Sequence, residues 1–205
     1  MSVAGWLRID STAVQSKSAV AVWSEFREAL HADPALNIRR GDTLRARKLA
    51  AGQGRPRPSS ARRGPSKAEQ WGHRHVLRRG LTAIASLPGT TVGTARVRAP
   101  GTSGPTDALL RQLARNTPAS ASGLAVVRAN TAAASWYDLA TEPPLAAPHL
   151  SDGPPHAAAG TESLLEAAEF VAYCAYQSLA RQHNRRFLWE WLPELLPGAG
   201  FPFDL

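Results

Sequence analysis

A chain of 205 residues with 43% hydrophobic content has the length and apolar material for one domain with a real core, which excludes global disorder. The single cysteine, Cys174, excludes an internal disulfide framework and a cysteine-based zinc site, as expected of a reducing cytoplasm. The formal charge of +8 is uneven: residues 39–98 carry 15 Lys and Arg against Asp42 and Glu69, whereas the remainder carries 9 basic and 14 acidic residues. So dense a cationic segment attracts polyanions, nucleic acid being the commonest, the plainer alternative being a solvated basic loop.

In chain order, WLRI (6–9) and AVAVW (19–23) are short and rich in strand formers, so both are expected as strands. SEFREAL follows with Ser24 as N-cap and Glu25 and Glu28 in the first turns, predicting a helix. Gly52 to Ser66 is almost entirely Gly, Pro, Ser and Arg, which cannot fill a core and reads as a flexible basic loop. Helical spacing returns over 67–87, and TTVGTARVR (90–98) alternates as a strand. A helix is expected over about 106–115, a buried strand over 123–129, a helix over 130–140 and a proline-rich connection over 141–155. The last third is helical: ESLLEAAEFVAYCAYQSL (162–179), then a shorter helix from Asn184 stopped by Pro197. Strands alternating with helices predict an α/β layer fold with a mixed sheet. No apolar leader opens the chain, since Arg8 and Asp10 interrupt it. The most apolar stretch, 167–175, is too short to span a bilayer and contains Glu169, so a cytoplasmic protein without membrane attachment is expected.

Glu169 poses the central question. Leu165, Ala172 and Tyr176 share its side of the helix, so periodicity turns a carboxylate inward, where it requires a partner. The run Leu164, Leu165, Glu166, Ala167, Ala168, Glu169, Phe170, Val171, Ala172, Tyr173 resembles the Leu-Leu-Gln-x-Ala-Asp-x-x-Ala-Tyr pattern in the last helix of domain-of-unknown-function family 3800. DTLRARKLAAGQG (42–54) resembles that family's Glu-Leu-Lys-Ala segment, and LRIDST (7–12) resembles its opening Tyr-x-Asp-Glu-Ser-Gly strand. The resemblance implies a single ribonuclease H-like domain over residues 1–205, a mixed sheet flanked by helices. It also implies a site built from Asp10 and Glu169, as catalytic or metal-binding residues. The chain departs from the pattern where it places Ser11, Thr43 and Arg128 at positions the family gives to acids. A two-metal nuclease needs three or four carboxylates, and an arginine among them repels magnesium.

Three readings follow. In the first, a diverged, non-catalytic protein without a cofactor binds nucleic acid or a protein partner through segment 39–98, with Arg45, Arg47, Lys48, Arg55, Arg57, Arg62 and Arg63 as contacts. In the second, a nuclease dependent on Mg or Mn recruits further acids such as Asp42, Asp138 or Glu142. In the third, a structural or assembly protein uses the basic arm as a tether. Other clusters favour structural readings. Glu162 and Glu166 suit a helix's first turn, His73 and His75 suit an exposed basic helix face, and Cys174 suits a small buried hydrophobe. Phe187, Trp189 and Trp191 beside two arginines suit a seal of the C-terminal helix onto the core, with base stacking as the functional alternative.

Overall fold

The computed structural model describes residues 2–10, 13–53, 66–97, 123–129, 135–138, 164–199 and 203–204. The fold is mixed α/β. Its sheet is centred on β1 (Ser2–Asp10), which pairs antiparallel with β2 (Thr90–Val97) on one side and β3 (Gly123–Ala129) on the other. Beyond β3 lies antiparallel β4 (Ser135–Asp138), and beyond β2 lies β5 (Phe203–Asp204), joined in parallel, so the order is β4-β3-β1-β2-β5. Val3, Gly5, Leu7 and Ile9 are all buried while Trp6 and Arg8 are partly exposed, the period-2 signature of a strand with one face against the core.

Two expected elements take the other form. Residues 19–23 are helical, inside α1 (Ala13–His31). Over five residues the Ala/Val pattern fits either period, but the buried Ala19, Trp23, Phe26 and Leu30 recur at intervals of four, three and four, which only a helix satisfies. Residues 135–138 are strand, not helix: Val126 pairs with Trp136 and Ala125 with Tyr137, so cross-strand pairing of β-forming aromatics overrides the preceding alanines.

The remaining described helices are α2 (Ala46–Ala50), α3 (Lys67–Ala85), α4 (Leu164–Ala180) and α5 (Trp191–Leu195), with 3-10 turns at His183–Leu188 and Pro197–Ala199. The helix expected from Asn184 is thus divided, with a kink at Arg185 and Pro193 tolerated in the first turn of α5. A capping box starts α3, in which the Ser66 hydroxyl accepts from the Glu69 amide and the Glu69 carboxylate accepts from the Ser66 amide. Helix α2 ends in a Schellman turn: the Gln53 amide donates to the Lys48 carbonyl and the Gly52 amide to that of Leu49, with Gly52 at φ 69°. Gly52 is therefore a buried helix stop rather than the first residue of a loop. Of the expected basic loop, 54–65 lie outside the described residues, as do the helix expected over 106–115 and the connection 141–155.

Helix α4 is enclosed on two sides. Its Ala168 and Ala172 lie on Gly5 so closely that a Cβ there would overlap the Ala172 nitrogen and stand 2.8 Å from its Cα and 3.0 Å from the Ala168 carbonyl oxygen. On the opposite side Phe170 meets Trp23 edge-on at 5.8 Å between centroids and fills the space left by Gly80 on α3. One apolar cluster joins these layers. The flank of α4 between sheet and helices carries Glu166 and Glu169. No helix of the described residues is long and apolar enough to cross a membrane.

Candidate functional site

The Glu166 and Glu169 carboxylates receive the chain segment 39–46. Arg27, reaching from α1, donates to Glu166 through Nη1 at 3.1 Å to Oε2 and 3.4 Å to Oε1. Its Nη2 donates to the carbonyls of Arg40 (3.0 Å) and Asp42 (2.6 Å), and the Leu44 amide donates to Glu166 Oε1 at 2.9 Å. One guanidinium and one carboxylate thereby satisfy three backbone groups of a segment with no ladder of its own. The turn is closed from within: Asp42 Oδ2 accepts from the Arg39 amide at 2.9 Å, and the Asp42 amide donates back to the Arg39 carbonyl.

Glu169 performs a second task. Helix α2 starts after Arg45, whose side chain cannot accept a hydrogen bond and supplies no cap. The missing acceptor comes from α4, where Glu169 Oε1 takes the Ala46 amide at 3.2 Å and Oε2 takes Arg45 Nη1 at 3.0 Å. Both carboxylates are largely withdrawn from solvent, at 13% exposure for Glu166 and 16% for Glu169. Burial raises the Glu166 carboxyl above its usual range. Arg27 and the Leu44 amide pull it down, Glu169 pushes it up and Arg45 pulls it down again.

The inward turn expected of Glu169 has a physical reason beyond packing, since the side chain caps a distant helix. Ala172 is buried beside it, with Leu165 and Tyr176 partly buried. The structure places Asp10 by its backbone at the end of β1, opposite Gly123, and Arg128 by its backbone in β3, opposite Gly5. The Asp10, Arg128 and Asp138 side chains and the whole of Glu142 lie outside the described residues. Glu166 lies in the first turn of α4, as expected, and in addition accepts from Arg27 and the Leu44 amide. Among the described residues no group of three or more His, Cys, Asp or Glu side chains converges. The Glu166 and Glu169 carboxylates are already engaged by guanidinium and amide hydrogens.

Of the expected nucleic-acid contacts, Arg45 is half-buried and bound to Glu169, whereas Arg47 and Lys48 are exposed on α2. Arg55, Arg57, Arg62 and Arg63 lie outside the described residues. His75 is exposed, as expected; His73, expected on the same exposed face, is buried, and among the described residues neither of its ring nitrogens has a hydrogen-bond partner. Cys174 is fully buried, and burial pushes its thiol far up, away from nucleophilic use. Sequence reasoning missed Arg27, 139 residues from its acid, and the amides of Leu44 and Ala46. A carboxylate on an apolar helix face signals that some partner exists, but its identity has no local marker. No family model, curated protein or solved structure matches the chain.

Proposed function

We propose that the chain is a diverged ribonuclease H-like protein that binds nucleic acid through its basic 39–98 segment without cleaving it. One observation carries this reading. The contacts that draw Glu166 and Glu169 inward also neutralise them, so the surface that segment 39–48 offers to solvent is cationic. Arg39, Arg47 and Lys48 are exposed, while the helical acids that meet this segment are each paired, Glu166 with Arg27, Glu169 with Arg45 and Glu28 with Arg40. Segment 39–98 keeps only Asp42 and Glu69 as acids, and both hydrogen-bond to backbone amides, Asp42 to that of Arg39 and Glu69 to that of Ser66. Phosphates would release counterions on meeting such a surface, giving affinity that falls steeply with salt.

The test is the salt dependence of oligonucleotide binding, followed by fluorescence anisotropy. Replacing Arg47, Lys48, Arg55, Arg57, Arg62 and Arg63 with Ser should weaken binding and flatten the slope of log affinity against log salt by several units. An unchanged slope would contradict the assignment of the contacts to this segment.

A further inference from the structure

The outer face of α3 meets the 3-10 turn His183–Leu188 in an array of rings and guanidiniums. Trp71 and Phe187 meet edge-on at 5.9 Å between centroids, and Arg74 lies against both rings, its guanidinium 4.8 Å from each centroid. Phe187 continues to Trp191 at 5.3 Å, with Arg78 5.9 Å above the Trp191 ring. Sealing the C-terminus explains part of this, because Leu188 and Leu192 are buried beneath. Sealing leaves two features unexplained. Trp71 is 48% exposed, the only large hydrophobic side chain so exposed among the described residues. Arg185 lies two residues before Phe187 in the same turn, near enough for its charge to add to burial in lowering the Arg74 pKa from its usual value, and among the described residues neither guanidinium has a carboxylate partner. Arg78, by contrast, is paired with Glu194.

Two arginines within electrostatic range of each other and without a carboxylate partner among the described residues, beside an exposed indole, are poor packing and good recognition chemistry. Bases stack on aromatic rings and on guanidinium planes, and phosphates take up adjacent arginines. The location agrees, because Arg74 Nε donates to the Ala50 carbonyl and so ties this array to α2, which carries Arg47 and Lys48. We infer that Trp71, Arg74, Arg185 and Phe187 form a stacking platform for the bases of a single-stranded nucleic acid, with the guanidiniums meeting its phosphates. The inference rests on the nucleic-acid reading for its partner class and adds a site and a strand preference to it.

The experiment uses the full chain, a labelled oligothymidylate, and inorganic polyphosphate as a competitor that has charge but no bases. Trp71→Ala should lower oligothymidylate affinity roughly tenfold to a hundredfold while leaving polyphosphate affinity unchanged, and Trp71→Phe should restore most of the loss. Arg185→Ser should reduce the salt slope by about one. Circular dichroism establishes that each variant is folded. Equal affinity of Trp71→Ala and wild type for the oligonucleotide overturns the platform and leaves the basic-segment reading standing. Equal loss for oligonucleotide and polyphosphate also overturns it, since stacking is then not involved. Failure of the wild type to bind either polyanion overturns both readings. A change in oligomeric state on Trp71→Ala, without a change in oligonucleotide affinity, assigns the face to a second copy of the chain and overturns the platform.

Discussion

Arg27 and Glu166 lie 139 residues apart and meet across 3.1 Å, and the same guanidinium holds the Arg40 and Asp42 carbonyls. The pair is a junction between α1, α4 and the segment that leads into α2. Removing either member leaves the other charge largely desolvated, the situation in which ion pairs matter most. Arg27→Ala should therefore destabilise the fold by about 2–4 kcal/mol in denaturant unfolding. In a double-mutant cycle with Glu166→Gln, the coupling should be about 1 kcal/mol or more. Additive effects would show that the contact is incidental.

Glu166 also sets a pH dependence. Burial, its largest influence, raises its carboxyl above the ordinary 4.5, so the folded chain binds this proton more tightly than the unfolded chain. The linked stability is fully present below the ordinary value and is lost as pH rises through the raised one. Glu166→Gln cannot lose it. The melting temperature of the variant relative to wild type should rise as pH increases from the ordinary glutamate range upward. A relative fall over that window would mean that Arg27 and the Leu44 amide outweigh desolvation.

Glu169 divides its two oxygens between a half-exposed arginine and a backbone amide, and the two bonds are separable by substitution. Glu169→Gln keeps an acceptor for the Ala46 amide and should alter stability by less than about 1 kcal/mol, since Arg45 is 42% exposed and well screened. Glu169→Ala removes the acceptor and leaves α2 uncapped, adding about 1 kcal/mol of loss. Equal effects of the two substitutions would contradict the capping role.

Gly5 and Gly41 should respond to alanine with opposite signs. A Cβ at Gly5 meets the Ala172 and Ala168 backbone, which cannot yield without lifting α4 off the sheet, so Gly5→Ala should destabilise by several kcal/mol or prevent folding. Nothing lies within 4 Å of a Cβ at Gly41, where alanine should gain up to about 1 kcal/mol by restricting the unfolded chain. Chemical unfolding of the two variants compares them directly.

The parts of this architecture that were legible in the sequence are those with a period or a local marker. The inward turn of Glu169 and strand β2 follow from spacing, and strands β1 and β3 and the burial of Cys174 from local composition. Residues 19–23 misled because five alternating residues do not distinguish two periods, and the deciding residues, Phe26 and Leu30, lie further on. Residues 135–138 misled because their form depends on pairing with β3. The partners of Glu166 and Glu169 were invisible for the same reason: Arg27, Arg45 and two amides reach them from 122 to 139 residues away. Likewise, the array at Trp71 joins α3 to a turn more than a hundred residues later. Sequence showed the aromatics of that turn and not the arginine that lies against two of the rings.

The most direct measurement of the central claim, binding without cleavage, is a gel of an end-labelled single-stranded oligonucleotide incubated with the chain in the presence of Mg or Mn. Binding without cleavage gives a retarded complex from which the strand is recovered at full length, with the complex lost at high salt. Metal-dependent conversion to shorter fragments that disappears with Glu169→Gln would contradict it, and so would the absence of any complex at low salt.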